Sequence, residues 1–118
     1  MNDNETASSL EMLLRDSSAN PVLELEGRII DVDVKKFQRK LDQLYGKKKT
    51  PTIILDVSRV NFIDSHGLGT IVYYHTLMQK EGRELIILNE NTNENSYLNR
   101  LFDLTNLNKV LTIVTAEP

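Results

Sequence analysis

The chain predicts an α/β fold: a mixed, mostly parallel sheet in the order β-β-α-β-α-β-α-β, with helices packed against it. Three observations carry this. Short continuous apolar runs occur at 52–57 and 84–88, stretches at helical spacing stand between and after them, and two alternating segments come first. Strands that alternate with helices need crossover connections, and crossovers give parallel pairing.

Residues 1–9 are small and polar and read as a frayed tail, so the single domain is expected over 10–115. Leu10, Met12 and Leu14 alternate with Glu11 and Arg15 as a first strand, and Asp16-Ser17-Ser18-Ala19-Asn20-Pro21 is a turn cluster. Leu23 and Leu25 share one face of a second strand and Glu24 and Glu26 the other, ending at Gly27; the two strands form an antiparallel pair. Val34, Phe37, Leu41, Leu44 and Tyr45 predict a helix over 33–45, with Asp33 as N-cap and Gly46 as a left-handed C′ residue. A strand over 52–57 follows. A second helix runs from near His66 to Glu81, closed by Gly82, with Leu68, Ile71, Val72, His75 and Met78 inward. The strand at 84–88 leads through a polar loop to a third helix, 96–105, with Leu98, Leu101 and Phe102 inward. Asn106 suits the left-handed helix end, and 110–114 is the last strand.

The 118 residues, 40% apolar and 26% charged, fit one soluble globular domain. The absence of cysteine excludes disulfides, thiolate metal sites and a cysteine nucleophile, and suits a reducing compartment. The first residues lack a basic region followed by an apolar run, and no apolar run approaches the roughly 20 residues that span a bilayer. A cytoplasmic protein without membrane contact is expected. Net charge is −3, and the one basic cluster, Lys47-Lys48-Lys49, has no interleaved aromatics, so direct nucleic-acid binding is not expected.

Chemical interest concentrates in Asn61-Phe62-Ile63-Asp64-Ser65-His66-Gly67-Leu68-Gly69, where a buried strand passes into a helix whose first turns hold two glycines. Such strand-to-helix turns are where open α/β sheets meet ligands and partners. Gly67 and Gly69 allow close approach of backbone or of another chain. Ser65 lies at or just before the helix start, where its oxygen can cap free N–H groups; a phosphate there would meet the positive end of the helix dipole and the charge of Asp64. The plainer reading is an N-cap beside glycines that serve packing. Catalytic patterns fail on spacing. Ile63 stands where a serine-hydrolase elbow needs its first glycine, His66 is adjacent to Ser65 and poorly placed as a base, and Val72 occupies the third glycine position of a dinucleotide fingerprint. Two histidines, His66 and His75, make a weak metal set, and His75 reads as a hydrogen-bonded packing residue. No enzyme activity, cofactor or metal is expected.

The segment from Ile54 to Gly69, with its Asp64-Ser65-His66-Gly67-Leu68-Gly69 turn, resembles the signature of STAS domains of the bacterial anti-sigma-factor antagonist type. Arg100-Leu101-Phe102-Asp103-Leu104-Thr105-Asn106-Leu107 resembles that family's last helix and its exit. The resemblance implies a phosphoprotein that, unphosphorylated, binds an anti-sigma factor that is also a serine protein kinase and so releases a sigma factor. ATP-dependent phosphorylation ends the binding, and a serine phosphatase restores it. Carried over, Ser65 is the phosphoacceptor, and Asp31, Asp64, Ser65, His66, Gly67, Leu68 and Gly69 belong to the partner contact. The family's kinase-facing aspartate after the second strand has Ile30 in its place here, with Asp31 one residue later, and His66 replaces a small residue. The alternatives are a STAS-like ligand-binding or structural subunit of a larger signalling or transport assembly, and a small hydrolase using Ser65.

Overall fold

The computed structural model describes residues 9–16, 20–47 and 50–118. The expected tail up to residue 8, the middle of the 16–21 turn, and Lys48 and Lys49 of the basic cluster lie outside the described residues. The elements follow the expected order: β1 (Leu10–Asp16), β2 (Pro21–Ile29), α1 (Val32–Tyr45), β3 (Thr52–Ile63), α2 (Ser65–Lys80), β4 (Glu84–Leu88), α3 (Tyr97–Leu104) and β5 (Thr112–Val114). A short 3-10 turn, Leu107–Lys109, is added before β5. The strands lie side by side in chain order. β1 runs antiparallel to β2, and every later neighbour is parallel.

Chain order in the sheet decides where the helices go. Right-handed crossovers that each step one strand in the same direction leave all their helices on one face. The main core shows this, since Leu23, Leu55 and Ile87 of the strands pack with Phe37, Ile71 and Phe102 of the three helices. The other face carries a smaller cluster, Val22, Ile54, Ile86 and Leu88 with Val114, that contains no helical residue. Its cover comes from the C-terminal residues. Arg15 of β1 is paired with Glu117 (Nη2–Oε1 2.5 Å, Nη1–Oε2 3.2 Å), although β1 and β5 are opposite edges. Four strand spacings of about 4.8 Å separate those edges, so the residues after β5 return across this open face to reach Arg15.

Several boundaries differ from expectation. Asp33 does not cap α1: the helix starts one residue earlier, after Asp31, which has φ of 49° and makes no side-chain cap. Asp33 is buried instead, and its Oδ2 accepts from Ser9 Oγ (2.6 Å) and Ser9 N (3.3 Å), tying the entry of β1 to α1. Gly46 is right-handed, with φ of −65°. The conformation that needs glycine is at Gly27, with φ of 105°, where a Cβ would come within 2.2 Å of the Ser9 carbonyl oxygen. A register shift there lets β2 run on to Ile29 and β3 to Ile63, past the expected ends at 27 and 57. Leu10 and Met12 turn toward the core as expected, whereas Leu14 is exposed.

α1 and α2 are joined by a polar contact as well as by packing. The buried Tyr74 hydroxyl donates to Asp42 Oδ1 (2.8 Å). Burial first, and then that hydrogen bond, raise the phenol above its usual ionisation range. A group whose folded pKa is raised contributes stability that is complete below the unfolded value, about pH 10 for tyrosine, and is lost as pH rises beyond it. Urea-unfolding midpoints measured between about pH 8 and about pH 11 should therefore fall as the solution becomes alkaline. Tyr74→Phe should start lower and lose less over the same range. A variant whose midpoint falls as steeply as wild type would show that Tyr74 is not the group responsible.

Candidate functional site

β3 carries the chain to the site. Its last residues, Phe62 and Ile63, pair with Arg28 and Ile29 of β2. The Arg28 guanidinium lies 5.4 Å from the Phe62 ring centre, and Phe62 stacks on Tyr97 of α3 at 5.1 Å. The Tyr97 hydroxyl donates to the Ile63 carbonyl (3.0 Å). Three elements thus fix the strand end before the chain turns at Asp64.

The two glycines have different duties. A Cβ at Gly67 would lie 2.9 Å from both Ile29 Cγ2 and Ile63 Cγ1, branched side chains held in the core. Glycine is what lets α2 sit down on the ends of β2 and β3. A Cβ at Gly69 would meet nothing within 4 Å, and the residue is exposed. Glycine inside a helix costs roughly 0.5–1 kcal/mol relative to alanine, and no packing in the described chain explains that cost at Gly69.

Asp64 caps α2, in place of the expected Ser65. Its Oδ1 accepts from Gly67 N (2.8 Å), and its Oδ2 accepts from Asp31 N (3.3 Å), which draws the β2–α1 turn to the same spot. Ser65 becomes the first helical residue. It is exposed, and its hydroxyl has no hydrogen-bond partner among the described residues. The N–H groups of Ser65 and His66, at the positive end of α2, likewise have no acceptor among them. The expected site residues Asp31, Asp64, Ser65, His66, Leu68 and Gly69 therefore gather at one end of the sheet, while Gly67 faces inward.

Other residues join them that the sequence did not single out. Leu68 and Val72, expected on the inner face of α2, are only half-buried. With Ser65, Gly69, Tyr73 and Leu107 they line an apolar depression of about 560 Å3. The available signal was an apolar stripe wider than one buried face requires. His75 is buried, but its imidazole makes no hydrogen bond among the described residues and edges a cleft of about 290 Å3. A further concavity, about 730 Å3, lies on the open face of the sheet, away from Ser65. No group of three or more His, Asp or Glu residues suited to a metal occurs among the described residues. Among the described residues, no helix is long and apolar enough to cross a membrane.

A sheet covered by helices on one face, ending in an exposed serine at a capped helix start, defines a class of small α/β modules. Within that class the chain belongs to the STAS domain family, whose model matches residues 11–117. It is 24% identical over 96 residues to an anti-sigma F factor antagonist of Paenibacillus polymyxa, covering 81% of this chain and 79% of that protein. The anti-sigma factor antagonist SpoIIAA in its unphosphorylated form superposes with a TM-score of 0.70 at 20% identity, over 89% of each chain. The phosphorylated form of the Bacillus cell fate determinant SpoIIAA superposes with a TM-score of 0.65 at 20% identity, over 89% of this chain and 92% of that one. These solved structures share the fold described above.

The division of labour at this helix is measurable as stability. Gly69→Ala should stabilise the domain by about 0.5–1 kcal/mol. Gly67→Ala should destabilise it by ~1–2 kcal/mol, because overpacking outweighs the gain in helix propensity. Asp64→Ala should cost about 1 kcal/mol through loss of the cap. Equal effects of the two alanine substitutions in urea titrations would contradict the inward seat of Gly67.

Proposed function

We propose that this protein is a phosphorylation-controlled binding module. Unphosphorylated, it sequesters an anti-sigma factor that is also a serine kinase, and a sigma factor is released. Phosphorylation of Ser65 ends that binding, and a serine phosphatase restores it. The observation that carries the reading is the free Ser65 hydroxyl. Because Asp64 takes the capping role, the serine oxygen is exposed on the first turn of α2, next to an apolar depression. It is open to a kinase and lies where a partner would touch. The relationship to anti-sigma factor antagonists supports the choice of partner, and Asp31, drawn to Asp64, adds an exposed acidic group to the same contact.

The sign of the switch follows from charge. A phosphate adds about −1.5 to −2 charges at neutral pH. Within the protein, the unused N–H groups of Ser65 and His66 and the helix dipole offset part of that charge, so the fold tolerates it. A partner surface shaped around a neutral hydroxyl and apolar side chains has no such compensation. Burying an unpaired charge there costs several kcal/mol, or about 10²-fold or more in affinity.

Calorimetric titration of a purified serine-kinase anti-sigma factor against three forms tests this. Wild type should bind, Ser65→Ala should bind equally and resist switching off by ATP, and the phosphorylated form should bind about 10²-fold more weakly. Fragment mass spectra should place the phosphate on Ser65. Tighter binding by the phosphorylated form, or phosphate retained in Ser65→Ala, would refute the mechanism.

A further inference from the structure

β1 is an edge strand. Its inner side pairs with β2 along its whole length, Leu10–Asp16, and from Glu11 to Arg15 no described strand pairs with its outer side. A free edge presents alternate N–H and C=O groups to any strand that can lie beside it. Natural edges are usually blunted by lysine, proline or a bulge. The stretch Leu10-Glu11-Met12-Leu13-Leu14-Arg15-Asp16 contains no lysine and no proline, and its register with β2 is unbroken. It also exposes two leucines on opposite faces, Leu13 at 60% and Leu14 at 40%.

The geometry points to this edge as a docking seam for a second copy of the chain, β1 against β1, antiparallel, with a twofold axis at Leu13. In a twofold interface, if one residue faces another, the reverse contact is also made. Centred at Leu13, the register sets Leu13 against Leu13, Met12 against Leu14, and Glu11 against Arg15 of the second copy. Leucine meets leucine and acid meets base on the open face, while Met12 meets Leu14 on the helical face. The neighbouring registers lack this match. Residues directly opposite in an antiparallel pair share a face, so registers move in steps of two. One way sets Glu11 against Leu13 and Met12 against Met12, and the other sets Leu13 against Arg15 and Leu14 against Leu14.

The charges are already arranged for the match. Arg15 is held on the open face by Glu24 (Nε–Oε2 2.5 Å) and Glu117 (Nη2–Oε1 2.5 Å), so its position is set before a second chain arrives. Glu11 is exposed and has no ion pair among the described residues. A seam over Glu11–Arg15 is short for a protein interface, so the dimer is reversible, with a Kd on the order of 1–100 µM. Pairing joins two five-stranded sheets into one of ten strands.

Sedimentation equilibrium of the full chain, from about 1 µM to about 1 mM, tests the seam. Wild type should pass from monomer to dimer across that range. Leu13→Lys, at an exposed position that leaves the fold intact by circular dichroism, should raise the Kd at least about tenfold by setting lysine against lysine at the axis. Glu11→Arg and Arg15→Glu should each raise it about tenfold, since each sets like charges together at two symmetric places. An equimolar mixture of those two variants should dimerise at least as tightly as wild type. In the mixed pair one copy carries arginine at both positions and the other glutamate at both, so unlike charges meet at each place. A wild-type chain that stays monomeric throughout would overturn the proposal. So would a dimer indifferent to Leu13→Lys, or a mixture no tighter than either variant alone.

Discussion

The first turn of α2 meets the ends of β2 and β3 with no room for a methyl group, and most of the site follows from that contact. With Gly67 turned down between Ile29 and Ile63, the rest of the turn is placed by helix geometry. Each residue advances about 100° around the axis, so positions two apart face nearly opposite ways, and positions four apart almost coincide. Ser65 and Gly69 are therefore both turned outward and lie one above the other. Asp64, just before the helix, is left within reach of the Gly67 N–H, and its other oxygen reaches the Asp31 N–H. One missing side chain seats the helix, exposes the serine and leaves its hydroxyl without a capping role.

The strand and helix order could be read from the sequence because each element repeats at its own period, and those periods survive in the fold. The strand-to-helix turn that carries the candidate site could be placed too, since a buried strand running into a glycine-bearing helix is a local pattern. What could not be read depends on neighbours distant in sequence. Asp33 looks like a cap, yet it serves Ser9, 24 residues away. β3 continues to Ile63 because Arg28 and Ile29 offer it a partner after the shift at Gly27, which no window of β3 alone contains. Whether Asp64 or Ser65 caps α2 turned on one residue of phase. The stack of Arg28, Phe62 and Tyr97 joins three elements and has no local signature. The loop after β4 looked merely polar. In the fold it is stapled by asparagines: Asn99 donates to the carbonyls of Asn91 and Asn93 and accepts from Asn89.

Putting every helix on one face separates two kinds of surface. The helical side ends in an apolar depression beside a serine, suited to a neutral, dry contact. The open side carries Glu11, Glu24, Glu26, Asp56 and Glu90 against Arg15 and Arg59, so it stays wet and acidic. β1 and β3 are two strand spacings apart, roughly 10 Å, and α2 rises from the end of β3 on the helical side. Pairing at β1 would leave Ser65 open on both copies, so a dimer of this kind would present two exposed serine turns side by side.

The side-by-side strand order also bears on how the chain comes together during synthesis. Each new strand docks beside the one made just before it, so the sheet can lengthen in step with the ribosome and waits for no distant partner. The exception is the face away from the helices. Val22 and Ile54 are in place early, but the residues that return to Arg15 are made after β5. Until then, an oily strip of the nascent sheet stays uncovered, and it is the part of the growing chain that a chaperone would find to hold.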